Sequence, residues 1–589
     1  MAKLFKKNKK SAIAQESPSI ATQSTSKKIS FFSAMLIVMG SSIGAGIFFK
    51  AKGVLESSQG SLVFAILAWL IAAFAVIAMA LALMEIASAR NDNLSLIGWC
   101  KVFNSRTIYK ASKNFMFYIY LPLTYFFMPF YVIMSFQDAI EAFGNGSKSF
   151  NIADGKADWV IWFIISLAIS FYFIFVSGMS SRAGNIMNKG ILAVKFIPLV
   201  ATIILGFVIV AIQGAHVSAN PLPSSVPSGE TPNNNNPLNI TSKYNPTEFG
   251  YMSPAIGLFM ATGAIFFAYD GFYVTAGIQS EMKEPRKTPL AIVFGLGAVT
   301  IIYLLIAISM SLGGDGGLFG FQDFLKERKL LWIFGVLNLT IAIGVLGIIN
   351  GFAMWAPRFV EDLIKENELP FSQRFKNKLN ANKPMVGIWY SIVITVPIVV
   401  AFTIIGAYAY QGQGLLGIYG EISNGVKKSY YGSVEMSGIY AFCDLTGTWT
   451  SVFAFMFIML PIFGGIKNRK QHFVKTEQQK SFVPLAWVSV IIIGIVLIFL
   501  FLDAFINVFM LINCSQPGWN DDYYNGPIGG NEGVISRTMK LAALCIFVAL
   551  MLLPTVIEDK VHIKKYGSID AYERALGIES TIKPKVAVY

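Results

Sequence analysis

Residues 265–289 read IFFAYDGFYVTAGIQSEMKEPRKTP and are the most informative stretch of this 589-residue chain. The stretch begins as an apolar membrane segment, but the carboxylate of Asp270 and the adjacent Gly271 interrupt the apolar run. A charged side chain at bilayer depth costs about 2.5–3.5 kcal/mol on insertion scales, and glycine weakens a helix by roughly 1 kcal/mol relative to alanine. Non-helical backbone is tolerated at that depth only where protein buries it or where it lines a watery cavity. We therefore expect this helix to break at Asp270-Gly271 and to face the interior of a helical bundle.

A second glycine-rich stretch, GSSIGAGIF at residues 40–48, lies inside the uncharged run 31–49. Each of the two stretches opens a set of five hydrophobic segments. Glycine-interrupted apolar segments at corresponding positions in two halves of a chain are typical of a binding site between inverted repeats. Close helix packing alone would explain one such stretch, but the pair favours a site between two repeats.

The composition predicts a membrane protein. Hydrophobic residues make up 54% of the chain and charged residues only 14%, whereas about 25% of residues in soluble domains are charged. Apolar runs near the length of about 20 residues that crosses a bilayer predict twelve helices, and thus an all-α integral membrane protein. The predicted spans are residues 31–49, 57–84, 114–137, 159–181, 190–215, 249–280, 288–314, 330–357, 384–420, 445–466, 481–502 and 541–557.

The charge distribution predicts the orientation of the chain. With the N-terminus in the cytoplasm, most of the 47 Lys and Arg residues fall into cytoplasmic segments, which fits the positive-inside rule and places both termini inside. The excess of Lys and Arg on the cytoplasmic side of the lipid bilayer then accounts for the net charge of +14, and no nucleic-acid partner is expected. The four cysteines and three histidines show no metal or disulfide spacing, so neither a metal site nor a cofactor is expected.

Two motifs resemble a known family. FAYDGF at 267–272, followed by EMKEPRKTP at 281–289, resembles the sixth transmembrane segment and following loop of amino acid permeases of the amino acid–polyamine–organocation superfamily. GSSIGAGIF resembles the glycine motif of that family's first segment. The resemblance spans roughly residues 31–480. It implies a leucine-transporter-like fold, in which helices 1–5 and 6–10 form an inverted repeat and helices 1 and 6 break at the membrane midplane.

The composition, the charge distribution and this resemblance together predict a domain organisation, and the resemblance implies a function. We expect a disordered basic cytoplasmic tail (1–29), a transporter core (30–466), two additional helices (467–557) and a cytoplasmic C-terminal tail (558–589). The family implies a secondary active transporter, not an enzyme, that moves amino acids across the plasma membrane by alternating access, with protons as coupling ion. An exchanger or a polyamine carrier of the same fold is the alternative. A non-transporting sensor or a membrane enzyme is the alternative of a different class.

The resemblance also implies a substrate site on the two broken helices. Backbone N–H groups at a helix start bind anions, and in this family they hold the substrate carboxylate. The substrate amine is held by backbone carbonyls, and an aromatic side chain closes over the site. Asp270 either pairs with a substrate cation, bonds the broken backbone, which we favour, or is protonated. The matching residues are Gly44, Ala45 and Gly46 for the carboxylate, and Ile43, Phe267, Ala268, Asp270 and Gly271 around the amine, with Phe267 as the lid.

Lys195, in ILAVKFIPLV at 191–200, is the only Lys or Arg inside the predicted spans. In several proton-coupled members of the family, a helix-5 lysine occupies the place where relatives bind sodium between helices 1 and 8. Burial favours the neutral form of a lysine, so we predict that Lys195 couples transport to protons. Residues 341–355 of helix 8 contain no Ser or Thr, whose hydroxyl oxygens a sodium site would use. Snorkelling of the side chain to the membrane surface is the alternative.

Overall fold

A computed structural model describes residues 30–44, 46–58, 60–90, 94–144, 152, 157–215, 249–251, 253–273, 283–284, 287–380, 383–410, 419–423, 426–513 and 531–575. The predicted N-terminal tail, residues 1–29, lies outside this part of the chain. The α-helices, in chain order, are α1 (Phe31–Ser42), α2 (Gly46–Ser57), α3 (Leu62–Ala87), α4 (Leu96–Phe103), α5 (Arg106–Asn114), α6 (Leu121–Phe143), α7 (Asp158–Met179), α8 (Ser181–Gln213), α9 (Pro254–Tyr269), α10 (Thr288–Gly313), α11 (Gln322–Glu327), α12 (Leu331–Lys365), α13 (Ser372–Phe375), α14 (Met385–Ile404), α15 (Val434–Gln471), α16 (Phe482–Asn513), α17 (Asn531–Tyr566) and α18 (Ile569–Ala575).

The prediction of a helical membrane protein is confirmed. Within the described residues, ten helices are long and apolar enough to cross a membrane, and two shorter apolar helices lie within α1 and α9. These two are the first halves of the predicted broken helices 1 and 6. The exact number of twelve spans stays a prediction.

Local signals explain where the broken helices begin. The side chain of Ser30 accepts a hydrogen bond from the N–H of Ser33 at the start of α1. At the start of α9, Ser253 accepts from the N–H of Ala255, and Pro254 occupies the first turn. Serine is a preferred N-cap because its hydroxyl satisfies a free helix N–H, and proline fits the first turn because its own N–H is absent.

The helices pack so that the broken segments lie inside the bundle. Helix α9 packs against α2 and α3, and α10 packs against α1, α3 and α8. Helix α12 packs against α6, α7 and α8. The late helices α16 and α17 pack against each other, and α16 also contacts α3 and α9.

A short antiparallel hairpin departs from the purely helical prediction. Strands β1 (Gly420–Ser423) and β2 (Val426–Ser429) pair with Gly420 opposite Ser429 and Ser423 opposite Val426. The sequence between them is Asn-Gly, the dipeptide that most favours a two-residue hairpin turn. Apart from Gly420, the hairpin lies between the predicted spans 384–420 and 445–466, where no element is predicted, because two four-residue strands carry little periodic signal.

Ion pairs join α5 to the later helices at one end of the bundle. The fully buried Lys113 donates to both carboxylate oxygens of Glu558 at 2.8 and 3.0 Å, and to the backbone carbonyl of Glu368 at 3.0 Å. Lys110 contacts the Glu368 carboxylate at 2.5 Å. Burial raises the pKa of Glu368, but Lys110 and Lys113 lower it by more, so the pKa lies at about 2. This carboxylate is therefore held ionised between two lysines.

Candidate functional site

The first broken helix is separated into α1 and α2 by Ile43 and Gly44, with Ala45 lying outside the described residues. Helix α2 begins at Gly46, directly against the second broken helix. A Cβ atom on Gly46 would lie 2.7 Å from the Cα of Ala268 and 3.1 Å from the Cδ1 of Phe267. Only glycine allows this approach, so the structure brings Gly46, Phe267 and Ala268 into one place.

The second broken helix, α9, ends at Tyr269 and is followed by a turn at Asp270 and Gly271. Gly271 has a φ of +95°, a backbone conformation that favours glycine. One carboxylate oxygen of Asp270 accepts the N–H of Gly271 at 2.9 Å, and the other accepts the hydroxyl of Tyr120 at 3.0 Å. The hydroxyl of Tyr120 also lies 3.0 Å from that of Tyr273. Asp270 thus contacts the broken backbone, the arrangement that its favoured structural role requires.

Tyr303 of α10 connects the two breaks and was missed by the sequence analysis. Its hydroxyl lies 3.1 Å from the carbonyl oxygen of Ser42 and 3.0 Å from that of Ala268, and the N–H of Gly44 points to it at 3.4 Å. The side chain is fully buried. One tyrosine among 23 in the chain gives no sequence signal of such a position. Only the contacts of its hydroxyl with Ser42 and Ala268 in the folded protein reveal it.

The ring of Phe267 is enclosed on the side facing α6. It meets the rings of Phe127 and Tyr131 edge-on, with centroids 5.9 and 6.0 Å away. Its other neighbours are the Nζ of Lys50, 4.9 Å from the ring centroid, and Gly447, on which a Cβ atom would lie 3.0 Å from the ring. Phe267 therefore lies between the break and a charged side chain of α2.

Lys50 forms an ion pair that the sequence analysis did not predict. Its Nζ lies 2.5 Å from the carboxylate of Asp444, 2.9 Å from the Asp444 carbonyl and 2.7 Å from the hydroxyl of Thr448. Lys50 is 2% exposed. The predicted first span ends at Phe49 because Lys50 is charged, whereas helix α2 continues to Ser57. Lys50 thus lies within a helix that begins at the first break, and its charge is paired with Asp444 across the bundle.

Lys195 of α8 reaches the first break. Its Nζ donates to the carbonyl oxygen of Ile43 at a distance of 3.5 Å. A small cavity beside this contact is lined by Ile43, Gly44, Lys195, Thr340 and Gly344, among others. Residues 341–355 of predicted helix 8 contain no Ser or Thr, but Thr340 directly before them places one hydroxyl group at this cavity. The Thr340 hydroxyl donates to the carbonyl oxygen of Leu337 at 2.7 Å. The lysine thus points into the bundle, at the place where α1 ends.

Comparisons with known proteins find a matching family model, sequence relatives and similar solved structures. A family model described as amino acid permease matches residues 29–515. An uncharacterized protein of Mycoplasma pneumoniae is 45% identical over 557 residues, which is 93% of this chain and 97% of the relative. The serine/threonine exchanger SteT of Bacillus subtilis is 26% identical over 121 residues, or 19% of this chain and 28% of SteT. The crystal structure of MhsT in complex with L-phenylalanine is 16% identical, covering 80% of this chain and 98% of that protein, with a TM-score of 0.42.

Proposed function

Because the chain belongs to the amino acid permease family, we propose that this multi-pass membrane transporter carries amino acids across the plasma membrane by alternating access, driven by protons. Both termini lie in the cytoplasm in this proposal, as the distribution of Lys and Arg favours. The observation that carries it is the meeting of the two breaks, where Gly46 lies against Ala268 and Lys195 contacts Ile43.

The two breaks supply the groups that an amino acid needs. The α-carboxylate binds to the N–H groups of Gly44, Ala45 and Gly46, because a helix start carries partial positive charge. The ammonium group binds to carbonyl oxygens at Ile43 and Ala268. The close approach of α2 to α9 supports this proposal, because Gly46 at the first break lies against Ala268 at the second.

The remaining predicted residues shape this site. Phe267 covers the substrate, and Asp270 holds the second break open through its bond to the N–H of Gly271. The carboxylate already accepts from Tyr120 and Gly271, so it serves the backbone and leaves the substrate amine to the carbonyls.

Lys195 couples this site to protons. In the protonated form its ammonium group bonds the Ile43 carbonyl and holds the end of α1 against α8. Loss of the proton leaves Nζ a weaker donor and releases α1, because charge-assisted hydrogen bonds are about twice as strong as neutral ones. If Lys195 binds a proton when the site opens to one side of the membrane and releases it when the site opens to the other side, opening of the site is linked to proton movement.

The test is uptake into proteoliposomes of each of the twenty labelled L-amino acids, with and without an inward proton gradient. Gradient-driven accumulation of at least one of them supports the proposal. Uptake of none of the twenty contradicts it.

Amino acid exchange is the second candidate, because SteT is named as an exchanger. An exchanger would show uptake that requires an unlabelled amino acid inside the vesicle and does not respond to the proton gradient. Preloading the vesicles with the same twenty amino acids separates the two mechanisms.

A further inference from the structure

We propose that Tyr303 is a positioning residue that holds the two broken helices in the geometry that binds the amino group of the substrate. The inference rests on the proposed function, because it concerns the same site. It assigns a role to a side chain of α10, outside the two broken helices that the sequence motifs mark.

The hydroxyl of Tyr303 meets backbone groups from both breaks at once. The carbonyl oxygen of Ser42 lies 3.1 Å away, that of Ala268 lies 3.0 Å away, and the N–H of Gly44 donates at 3.4 Å. Backbone groups at a helix break are left without their intrahelical partners. One side chain thus satisfies groups that both breaks expose.

The Tyr303 hydroxyl has one proton to donate, so it leaves one of the two nearby carbonyl oxygens available to a substrate. A tyrosine hydroxyl donates one proton, so it bonds either Ser42 or Ala268 at a given time. When the proton goes to Ser42, the carbonyl of Ala268 is free to accept from an ammonium group, which brings three donors. Tyr303 can therefore hold the two breaks together while the substrate ammonium group donates to the carbonyl oxygen of Ala268.

The ring of Tyr303 is held in place by aromatic neighbours. Trp69 and Tyr269 meet it edge-on, with centroids 5.7 and 5.4 Å away. The side chain is fully buried, so the hydroxyl cannot turn away to water. A rigid donor of this kind preorganises the site, and preorganisation lowers the ordering that a ligand must impose.

The experiment compares Tyr303→Phe with Tyr269→Phe. Tyr269 is the matched control because its buried hydroxyl pairs with the Thr300 hydroxyl at 2.9 Å and lies in the same cluster. Both changes remove one buried hydroxyl and keep the ring. We measure the KM and Vmax of uptake for the twenty labelled L-amino acids supplied singly, and hydrogen exchange in peptides that contain Gly44.

For Tyr303→Phe we expect KM to rise about tenfold with Vmax changed by less than about twofold, the effect of an unpaired acceptor in the site. We also expect faster exchange in the Gly44 peptides. Tyr269→Phe should leave KM and this exchange unchanged. The inference is overturned if the two variants behave alike, or if Tyr303→Phe lowers Vmax alone. If the wild type takes up none of the twenty amino acids, the proposed function fails, and the exchange comparison alone decides the positioning role.

Discussion

The Nζ atom of Lys195 lies 3.5 Å from the backbone carbonyl oxygen of Ile43, the residue at which the first helix breaks. A side chain from the fifth predicted span thus contacts the break in the first. This contact gives the proton-coupling hypothesis a definite atom, because protonation of Nζ changes its bond to one carbonyl.

Lys195→Ala should abolish accumulation driven by a proton gradient. A gradient of one pH unit supports about tenfold accumulation if one proton moves with each substrate, and we expect the variant to reach no accumulation. The measurement is uptake at fixed internal pH with the external pH stepped from neutral to acidic. Lys189→Ala, an exposed position on the same helix, is the control and should accumulate like the wild type. Gradient-driven accumulation that survives Lys195→Ala would remove the coupling role.

The glycines of the first break should respond differently to a methyl group. A Cβ atom on Gly46 would lie 2.7 Å from the Cα of Ala268, so Gly46→Ala should destabilise the protein by about 1–3 kcal/mol. On Gly44, the nearest described atoms would be the Cδ1 of Ile348 at 3.4 Å and the N of Gly46 at 3.9 Å. Gly44→Ala should therefore fold, with weaker uptake because the methyl group would crowd the proposed carboxylate site.

Thermal unfolding in detergent and uptake together check these two variants. Gly53→Ala is the control on the same helix, because no neighbour from the described part of the chain lies within 4 Å of its added Cβ atom. It should be neutral or slightly stabilising, since alanine is the better helix former. Equal stability of the Gly46 and Gly53 variants would contradict the close contact of α2 with α9.

Phe267→Leu should raise the KM of uptake, because a smaller side chain would cover the proposed substrate site less completely. Phe266→Leu is the matched control on the next residue, where the buried ring stacks on Phe455 with centroids 4.4 Å apart. Both changes create a cavity and should cost about 1–2 kcal/mol of stability. Only the Phe267 variant should change KM, and a similar KM in the two variants would reduce Phe267 to a packing residue.

The two partners of the Lys50–Asp444 pair should differ in the effect of their removal. The side chain of Lys50 is 3% exposed and that of Asp444 is 37% exposed. Asp444→Ala leaves a buried ammonium group and should destabilise by about 3–5 kcal/mol. Lys50→Met leaves a carboxylate that water can reach and should cost less than about 2 kcal/mol.

The thermal unfolding midpoints of the two variants test this asymmetry. Lys52→Met is the control on the same helix, because the Lys52–Asp315 pair is 25% and 44% exposed. We expect it to change stability by less than about 1 kcal/mol. The prediction is contradicted if Lys50→Met lowers the unfolding midpoint as much as Asp444→Ala does.

Glu368 should make stability depend on pH in the acidic range. Its pKa is lowered from 4.5 to about 2, with burial opposed by the stronger effect of Lys110 and Lys113. A group with a depressed pKa stabilises the folded state above its unfolded pKa, and this contribution is lost as the pH falls from about 4.5 toward 2. The full shift is on the order of 3 kcal/mol. Glu368→Gln should flatten the loss of thermal stability between pH 5 and pH 3; an unchanged slope would show that other groups cause it.

The sequence by itself determined the membrane class and the places of the two breaks. Long uncharged runs predict spanning helices because a bilayer admits few charges. Glycine-rich interruptions mark Ile43–Gly46 and Asp270–Gly271 because helical backbone is weakened there by local chemistry alone. Such signals lie within a single segment, so they are visible without the fold.

Only the tertiary structure decided which side chains meet these breaks. Tyr303 bonds both breaks from α10, and Lys50 is paired with Asp444 across the bundle. The predicted first span ends before Lys50, because a lysine is rarely found in a membrane helix unless a partner pairs with its charge. That partner lies 394 positions away in the chain. The physical reason is that hydrogen bonds and ion pairs depend on distances in space, and these distances arise only when the helices pack.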